Sequence, residues 1–373
     1  MINRQQLLAA VTTIVNVTGG RTTDPIGLDC DHDVFTVQAW QAGKQRYGRV
    51  RFPVSGVRPF SGILRSDKLR QLLSSIEADF VDVSVAEQRG RKLLVLKSTN
   101  GRFTLEMTDD FSEMPPIPEL EPVAEFSMSS RDLVRSLSCA LPMCNGESAR
   151  YAYDGVHVAI GERVVFQGTD GTRLLCSARN PITRSGDQIA RVVPRELVRA
   201  LVSALKADKE ATVHVRMTEN ATQFSTDVPF TLLLGAANIA GRYPKTEEML
   251  KFANEGFVQE VAIGHVLHMA RLASTIISAE ETGLVVSVND QGMVGELSVP
   301  SAYCRLETTD GTRQQELTTK LDVKMLRECL SIFDPNETMR WYQKTGNDAA
   351  FFHLPDGMIY VQMPMISGDP RDQ

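Results

Sequence analysis

Three groups of residues in this 373-residue chain have types and spacings that chemistry can use. Asp29-Cys30-Asp31-His32-Asp33 puts three carboxylates, a thiol and an imidazole within five positions, a donor set suited to a cation. His265 and His268 stand three apart on one face of a predicted helix. Asp29, Asp31 and Asp33 with these histidines would suit a metal-dependent hydrolase, which stays open as one reading. Against it, HExxH would need a glutamate and a longer spacing, and no second acidic cluster follows Asp33, so a solvated acidic loop is the other reading. There is no GxxxxGK[ST] loop for nucleotide hydrolysis and no GxSxG nucleophile elbow. No catalytic residue, metal or cofactor is therefore expected. The third group is Thr-Asp-Gly-Thr-Arg, which occurs at 169–173 and again at 309–313. Asp-Gly between alternating residues of β propensity predicts a hairpin turn in both places.

The elements that must carry these residues repeat along the chain. Amphipathic helical segments begin near Asn3, Ser129 and Ile263, and a second set begins near Ser66, Pro194 and Asp322. Asn3, Ser66 and Asp322 suit N-caps, and Pro194 suits a first helical turn. Matching leucines are evenly spaced: Leu7, Leu133 and Leu267 in one set, Leu69, Leu197 and Leu326 in the other. The stretches between, such as "KLLVLKSTNGRFTLEM" and "GVHVAIGERVVFQG", are rich in β-branched residues with turn signals and predict antiparallel strands. Each third ends near a proline, at Pro115, Pro244 and Pro364. A period of about 125 residues is the size of a domain, not of a solenoid repeat. The expectation is an α+β chain of three similar domains, 1–121, 122–253 and 254–373, each with two helices on antiparallel sheets.

Composition narrows the function. Hydrophobic content of 42% with 23% charged residues fits a globular chain. Six scattered cysteines without a CxxC predict reduced thiols of a cytosolic protein. No apolar run approaches the roughly 18 residues of a membrane span. "LLAAVTTIVNV" is broken by threonines and reads as a mature helix, not a signal segment. The net charge of −6 gives no global reason to bind nucleic acid. Yet the six helical segments carry eleven Lys and Arg against six Asp and Glu, a net of +5, which leaves −11 for the remainder. In the segment from Pro194, Arg195, Arg199 and Lys206 gather apart from the apolar stripe Leu197, Val198, Leu201, Val202 and Leu205. Arg131 and Arg135 relate to Leu133, Val134 and Leu137 in the same way. These are either ordinary solvated faces or a helix-lined basic surface that contacts phosphates without reading bases.

Four patches carry a family resemblance. "TGGRTTDPI" lies near the start, "ARYAYDGV" is followed by "GTDGTRLLCS", "GRYPKTEEML" comes next, and "YVQMPM" lies near the end. In this order and spacing the chain resembles a divergent bacterial DNA polymerase III β subunit, the sliding clamp. The resemblance implies a non-catalytic processivity factor: three tandem clamp domains per chain, and a head-to-tail homodimeric ring around duplex DNA with its helices inside. It implies partners in the polymerase III α subunit, the clamp loader and other proteins with a clamp-binding motif, in the cytoplasm on the nucleoid. It places the partner-peptide pocket at Tyr153, Thr169, Gly171, Thr172, Arg173 and Leu174, at Pro244, Glu248 and Met249, and at Val361, Gln362, Met363, Pro364 and Met365. It places DNA contacts at Arg21, Arg150, Tyr151 and Arg195, to which the helix faces add Arg135 and Arg199. It sets Phe103 and Leu105 of one subunit against the Ile276-Ile277 region of the other. Tyr153 stands where the family usually has an aliphatic residue, Thr172 where histidine is common and Glu248 where arginine is common. The polar tail Ser367–Gln373 runs past the usual end. A clamp-like paralogue without polymerase binding is the milder alternative.

Overall fold

A computed structural model describes residues 1–18, 25–41, 43, 45–99, 101–108, 114–144, 151–206, 210–226, 231–277, 283–289, 292–299, 302–308, 312–313 and 316–365. The chain divides into two compact units. The first comprises Met1–Ser138, Val158–Val164 and Arg179–Ala240, and the second Cys139–His157, Val165–Ala178 and Gly241–Gln373. Both are α+β with antiparallel sheets.

The seven α-helices of the described residues are α1 (Arg4–Thr18), α2 (Ser66–Ser75), α3 (Ser130–Ala140), α4 (Arg195–Leu205), α5 (Thr246–Leu250), α6 (Ile263–Ala273) and α7 (Val323–Leu330). Six of them match the predicted segments. Their starts follow the capping chemistry in part. Asn3 Oδ1 accepts from the Gln6 amide at 3.0 Å, and Asp322 Oδ1 from the Met325 amide at 2.9 Å. Ser129 caps α3, accepting from the Asp132 amide at 3.1 Å while donating to its carboxylate at 2.8 Å. Ser66 is not a cap: it is the first helical residue, fully buried, behind Arg65, which takes the cap position without a side-chain capping bond. Pro194 likewise takes the cap position rather than the first turn. α6 ends at Ala273, just before Ser274 and Thr275, whose hydroxyls donate to the carbonyls of Ala270 and Leu272. The Thr275 and Ile276 amides bond three residues back, to Leu272 and Ala273, which tightens the chain into turns.

In the first unit a nine-stranded sheet runs in the order 183–186, 124–129, 212–217, 221–226, 231–237, 46–53, 34–41, 25–31 and 60–65. A four-stranded sheet runs 2–3, 80–88, 91–98 and 101–107, so Gly101–Met107 is an open edge. α1 packs against α2 and α4 and onto the strands 34–41 and 46–53. It therefore buries Leu7, Val11, Ile14, Val15 and Val17 on several sides rather than in one stripe. Gly235 is a packing requirement, since a Cβ there would enter the Tyr47 ring. Tyr47 in turn accepts from Gln223 Nε2 at 3.2 Å.

In the second unit, six antiparallel strands run 173–179, 358–362, 350–354, 338–342, 257–262 and 312–313. A four-stranded sheet runs 302–308, 292–299, 283–289 and 317–322, with Ala302–Thr308 at its open edge. α6 and α7 pack together over a core that includes Leu267, Leu284, Leu326, Met339, Trp341 and Tyr360. Burying apolar area of this kind at roughly 25 cal/mol per Å2 is the main stabilising term.

Candidate peptide-binding groove and basic helix faces

The hairpin turn at Asp170 organises the site. Asp170 Oδ1 accepts from the Thr172 amide (3.0 Å), the Thr172 hydroxyl (2.8 Å) and the Arg173 amide (3.2 Å). The Thr169 hydroxyl accepts from the Gly171 amide at 3.1 Å and donates to the Arg173 carbonyl. Gly171 has φ +96°, open to glycine, and a Cβ there would lie 3.0 Å from the Tyr153 hydroxyl.

Arg173 is a strut. Its side chain is 5% exposed and its guanidinium donates to Asp170 at 2.8 Å, Glu328 on α7 at 2.7 Å and the Pro142 carbonyl at 3.2 Å. Burial works against its charge, but the bonds to Glu328 and Asp170 prevail, so its pKa stands above the usual arginine value.

The turn leads into the strand Arg173–Arg179, paired with Met358–Gln362 in the register Arg173 to Gln362 and Leu174 to Val361. The Met363 amide continues the ladder, donating to the Thr172 carbonyl at 2.9 Å. α5 supplies the facing wall. Thr246, buried, donates its hydroxyl to Gln167 Oε1 at 3.0 Å and so fixes the start of that helix. Leu174 and Val361 pack with Phe351 and Ala253, flanked by Met249, Leu250 and Tyr342.

These elements enclose an open groove of roughly 150 Å3. Tyr153, Thr169, Gly171, Thr172, Arg173 and Leu174 line it, with Pro244, Met249, Val361 and Met363. Ten of the fourteen expected pocket residues are thus brought together. Four do not line it. Glu248 is exposed on α5. Gln362 is fully buried, donating to the Asp322 carbonyl at 3.1 Å and accepting from the Tyr360 hydroxyl at 3.0 Å. Pro364 and Met365 lie farther along, where the Met365 amide donates to the Lys320 carbonyl. Lys245 and Thr246 also line the groove and were not anticipated, although both adjoin Pro244 in sequence. Met363 is 46% exposed, leaving an apolar side chain open at the rim.

The basic residues are distributed as follows. Leu197, Val198, Leu201, Val202 and Leu205 of α4 are all buried, and Arg199 is exposed. Arg131 and Arg135 of α3 share a depression of about 480 Å3 with Lys206 just beyond α4. Arg195 is half-buried at the start of α4 and does not line it. Tyr151 forms a parallel bridge to Arg242, its ring 5.6 Å from that of Tyr153. Arg21, Arg150, the Ser367–Gln373 tail and Thr309–Gly311 of the second Thr-Asp-Gly-Thr-Arg lie outside the described residues. Phe103 and Leu105 are half-buried on one face of the open edge strand. Ile276 and Ile277 pack against the core of their own unit. Among the described residues, no group of three or more His, Cys, Asp or Glu could hold a metal. None of Cys30, Cys139, Cys144, Cys176 and Cys329 is in a disulfide. No helix among the described residues is long and apolar enough to cross a membrane.

The fold is that of the sliding clamps. A DNA polymerase III β clamp from Pseudomonas aeruginosa bound to griselimycin aligns with TM-score 0.84 and 18% identity, over 98% of this chain and 98% of that one. A putative DNA polymerase III β subunit from Eubacterium rectale aligns with TM-score 0.81 and 14% identity, over 98% of each. A Helicobacter pylori β clamp bound to a DNA ligase peptide aligns with TM-score 0.79 and 14% identity, over 98% of this chain and 99% of that one. No family model and no curated protein matches the sequence.

Proposed function

We propose that this chain is a DNA sliding clamp, a non-catalytic processivity factor that encircles duplex DNA and tethers partners through the groove. The observation that carries the reading is the groove itself, in a chain whose fold runs end to end with the clamps. Leu174, Pro244, Met249, Val361 and Met363 offer an apolar cleft on three separate elements. Methionines at its rim and wall adapt to varied side chains. A peptide with one or two apolar anchors would bind at about micromolar strength, roughly −8 kcal/mol, and exchange readily. The polymerase III α subunit, the clamp loader and other clamp-binding proteins are the proposed occupants, in the cytoplasm on the nucleoid. The neighbours from Pseudomonas aeruginosa and Helicobacter pylori carry griselimycin and a ligase peptide, respectively, which supports a ligand-binding clamp surface.

Arg21, Arg135, Arg150, Tyr151, Arg195 and Arg199 are the proposed DNA contacts, acting on phosphates without sequence preference. Three domains, 1–121, 122–253 and 254–373, would contribute six to a head-to-tail homodimer. The open edge strands Gly101–Met107 and Ala302–Thr308 are a supporting feature, because closing a ring removes unpaired edges. Phe103 and Leu105 lie on the first of these, whereas the internal packing of Ile276 and Ile277 limits what they offer a partner.

The test is retention on DNA. Loaded by a cognate loader, the protein is expected to remain on closed circles and to leave when they are linearised, with a dimer mass in solution. A strictly monomeric chain that never stays on circles would sink the proposal.

A further inference from the structure

The far side of the groove's Pro244 wall holds an arrangement that the pocket alone does not require. His157, in the strand Gly155–Ile160, stacks face to face on Tyr243, with ring centroids 4.1 Å apart and planes 7° from parallel. Tyr243 directly precedes Pro244 and the Lys245-Thr246 wall of the groove. Two polar atoms of this pair, His157 Nδ1 and the Tyr243 hydroxyl, are shut off from solvent with no hydrogen-bond partner. Unpaired buried polar atoms weaken a contact that two carbon rings would make at lower cost. The groups around the pair are neutral. Gln167 hydrogen-bonds the imidazole, which favours its protonated form in part, and accepts from the Thr246 hydroxyl, while Cys144, Cys176 and Tyr153 lie around Tyr243. No carboxylate is paired with His157 among the described residues.

We infer that His157 is a positioning residue: its neutral imidazole, stacked on Tyr243, holds the Tyr243–Thr246 wall of the groove closed, and the wall opens when the ring gains a second proton. A cation in this position has no carboxylate counter-ion, and burial outweighs the Gln167 hydrogen bond that favours it, so the charged ring is drawn out of the stack toward water. Burial accordingly lowers the His157 pKa from 6.5 to about 4. The pair thus couples acidity to the shape of the groove. The inference rests on the groove being the partner site, but its test does not.

The experiment is amide hydrogen exchange on the full chain between pH 8 and pH 5, corrected for intrinsic rates. Local opening that exposes His157 should make Tyr243, Lys245 and Thr246 exchange about thirtyfold more readily at pH 5 than at pH 8, the ratio set by the two pKa values. The opposite wall, Asp170–Arg173, should not follow. His157→Phe keeps a stacked ring without a titrating nitrogen and should make the response flat. A flat response in the unsubstituted protein, or an equal rise in His157→Phe, overturns the inference. Griselimycin, measured in parallel at pH 7.5, reports on the groove separately. Its failure to bind the unsubstituted protein would count against the pocket assignment, and the exchange data would still decide the role of His157.

Discussion

Arg173 shows how a residue with the right charge for ligand binding becomes structural. With its guanidinium held by Asp170, Glu328 and a carbonyl, its three-way fork cannot be reproduced by a lysine's point charge. Arg173→Lys is expected to lower stability by about 1–3 kcal/mol, read as a fall in the chemical-denaturation midpoint. An unchanged midpoint would mean that the turn holds itself. Leu174 and Met363 behave differently, as Leu174 forms a wall and Met363 an open rim. The Leu174→Ala, Met363→Ala double variant should weaken a clamp-binding peptide by about tenfold or more while the solution mass stays unchanged, because neither residue lies on an open sheet edge. His157 sets a pH window for the whole chain. Its folded-state pKa lies below the unfolded value, so the unfolded chain binds the proton first as pH falls. Stability is therefore full above about pH 6.5 and declines by up to about 3 kcal/mol towards pH 4, unless the wall opens locally first. Thermal melts of the unsubstituted protein and His157→Phe across that range measure the difference.

At the scale of elements, α3 and α4 each present two faces, one apolar and one basic. The apolar stripe of α4 is buried, and the basic positions fall elsewhere on the helix, as a 3.6-residue period requires. Arg131→Glu with Arg135→Glu should shorten the residence of loaded protein on circular DNA and flatten its dependence on salt, since fewer counter-ions are released. Circular dichroism should be unaffected, because neither arginine is buried. The edge strand Gly101–Met107 offers a second element-scale test. Phe103→Glu with Leu105→Glu puts charge on one face of an open edge and should convert dimer to monomer by light scattering. A dimer that persists would place the subunit contact elsewhere. The strand alternation that puts Phe103 and Leu105 together also explains Gln362. Val361 and Met363 face the groove, so the residue between them points the opposite way, into the core.

At the scale of the whole molecule, the α+β character, the position of six helices and the clamp-like fold were legible in the sequence, along with most of the groove. Periodic leucines report burial on a helix face, and Asp-Gly reports a turn, because both are local consequences of backbone geometry. Asn3 and Asp322 were readable as caps for the same reason. The short helix α5 was not, since five residues carry too little periodicity to register. Glu248 and Met249 are neighbours in sequence, yet the helical turn sends one to solvent and the other to the groove. Identical Thr-Asp-Gly-Thr-Arg stretches also could not declare which one forms a wall. Only the first is followed by a strand whose partner, Met358–Gln362, brings Val361 and Met363 alongside Leu174. The sequence by itself determined what folds locally and which faces must be apolar. The tertiary structure alone decided that Arg173 is a strut, that Gln362 is interior and that His157 lies flat on Tyr243. Those outcomes depend on contacts between residues far apart in the chain, which no local period or motif encodes.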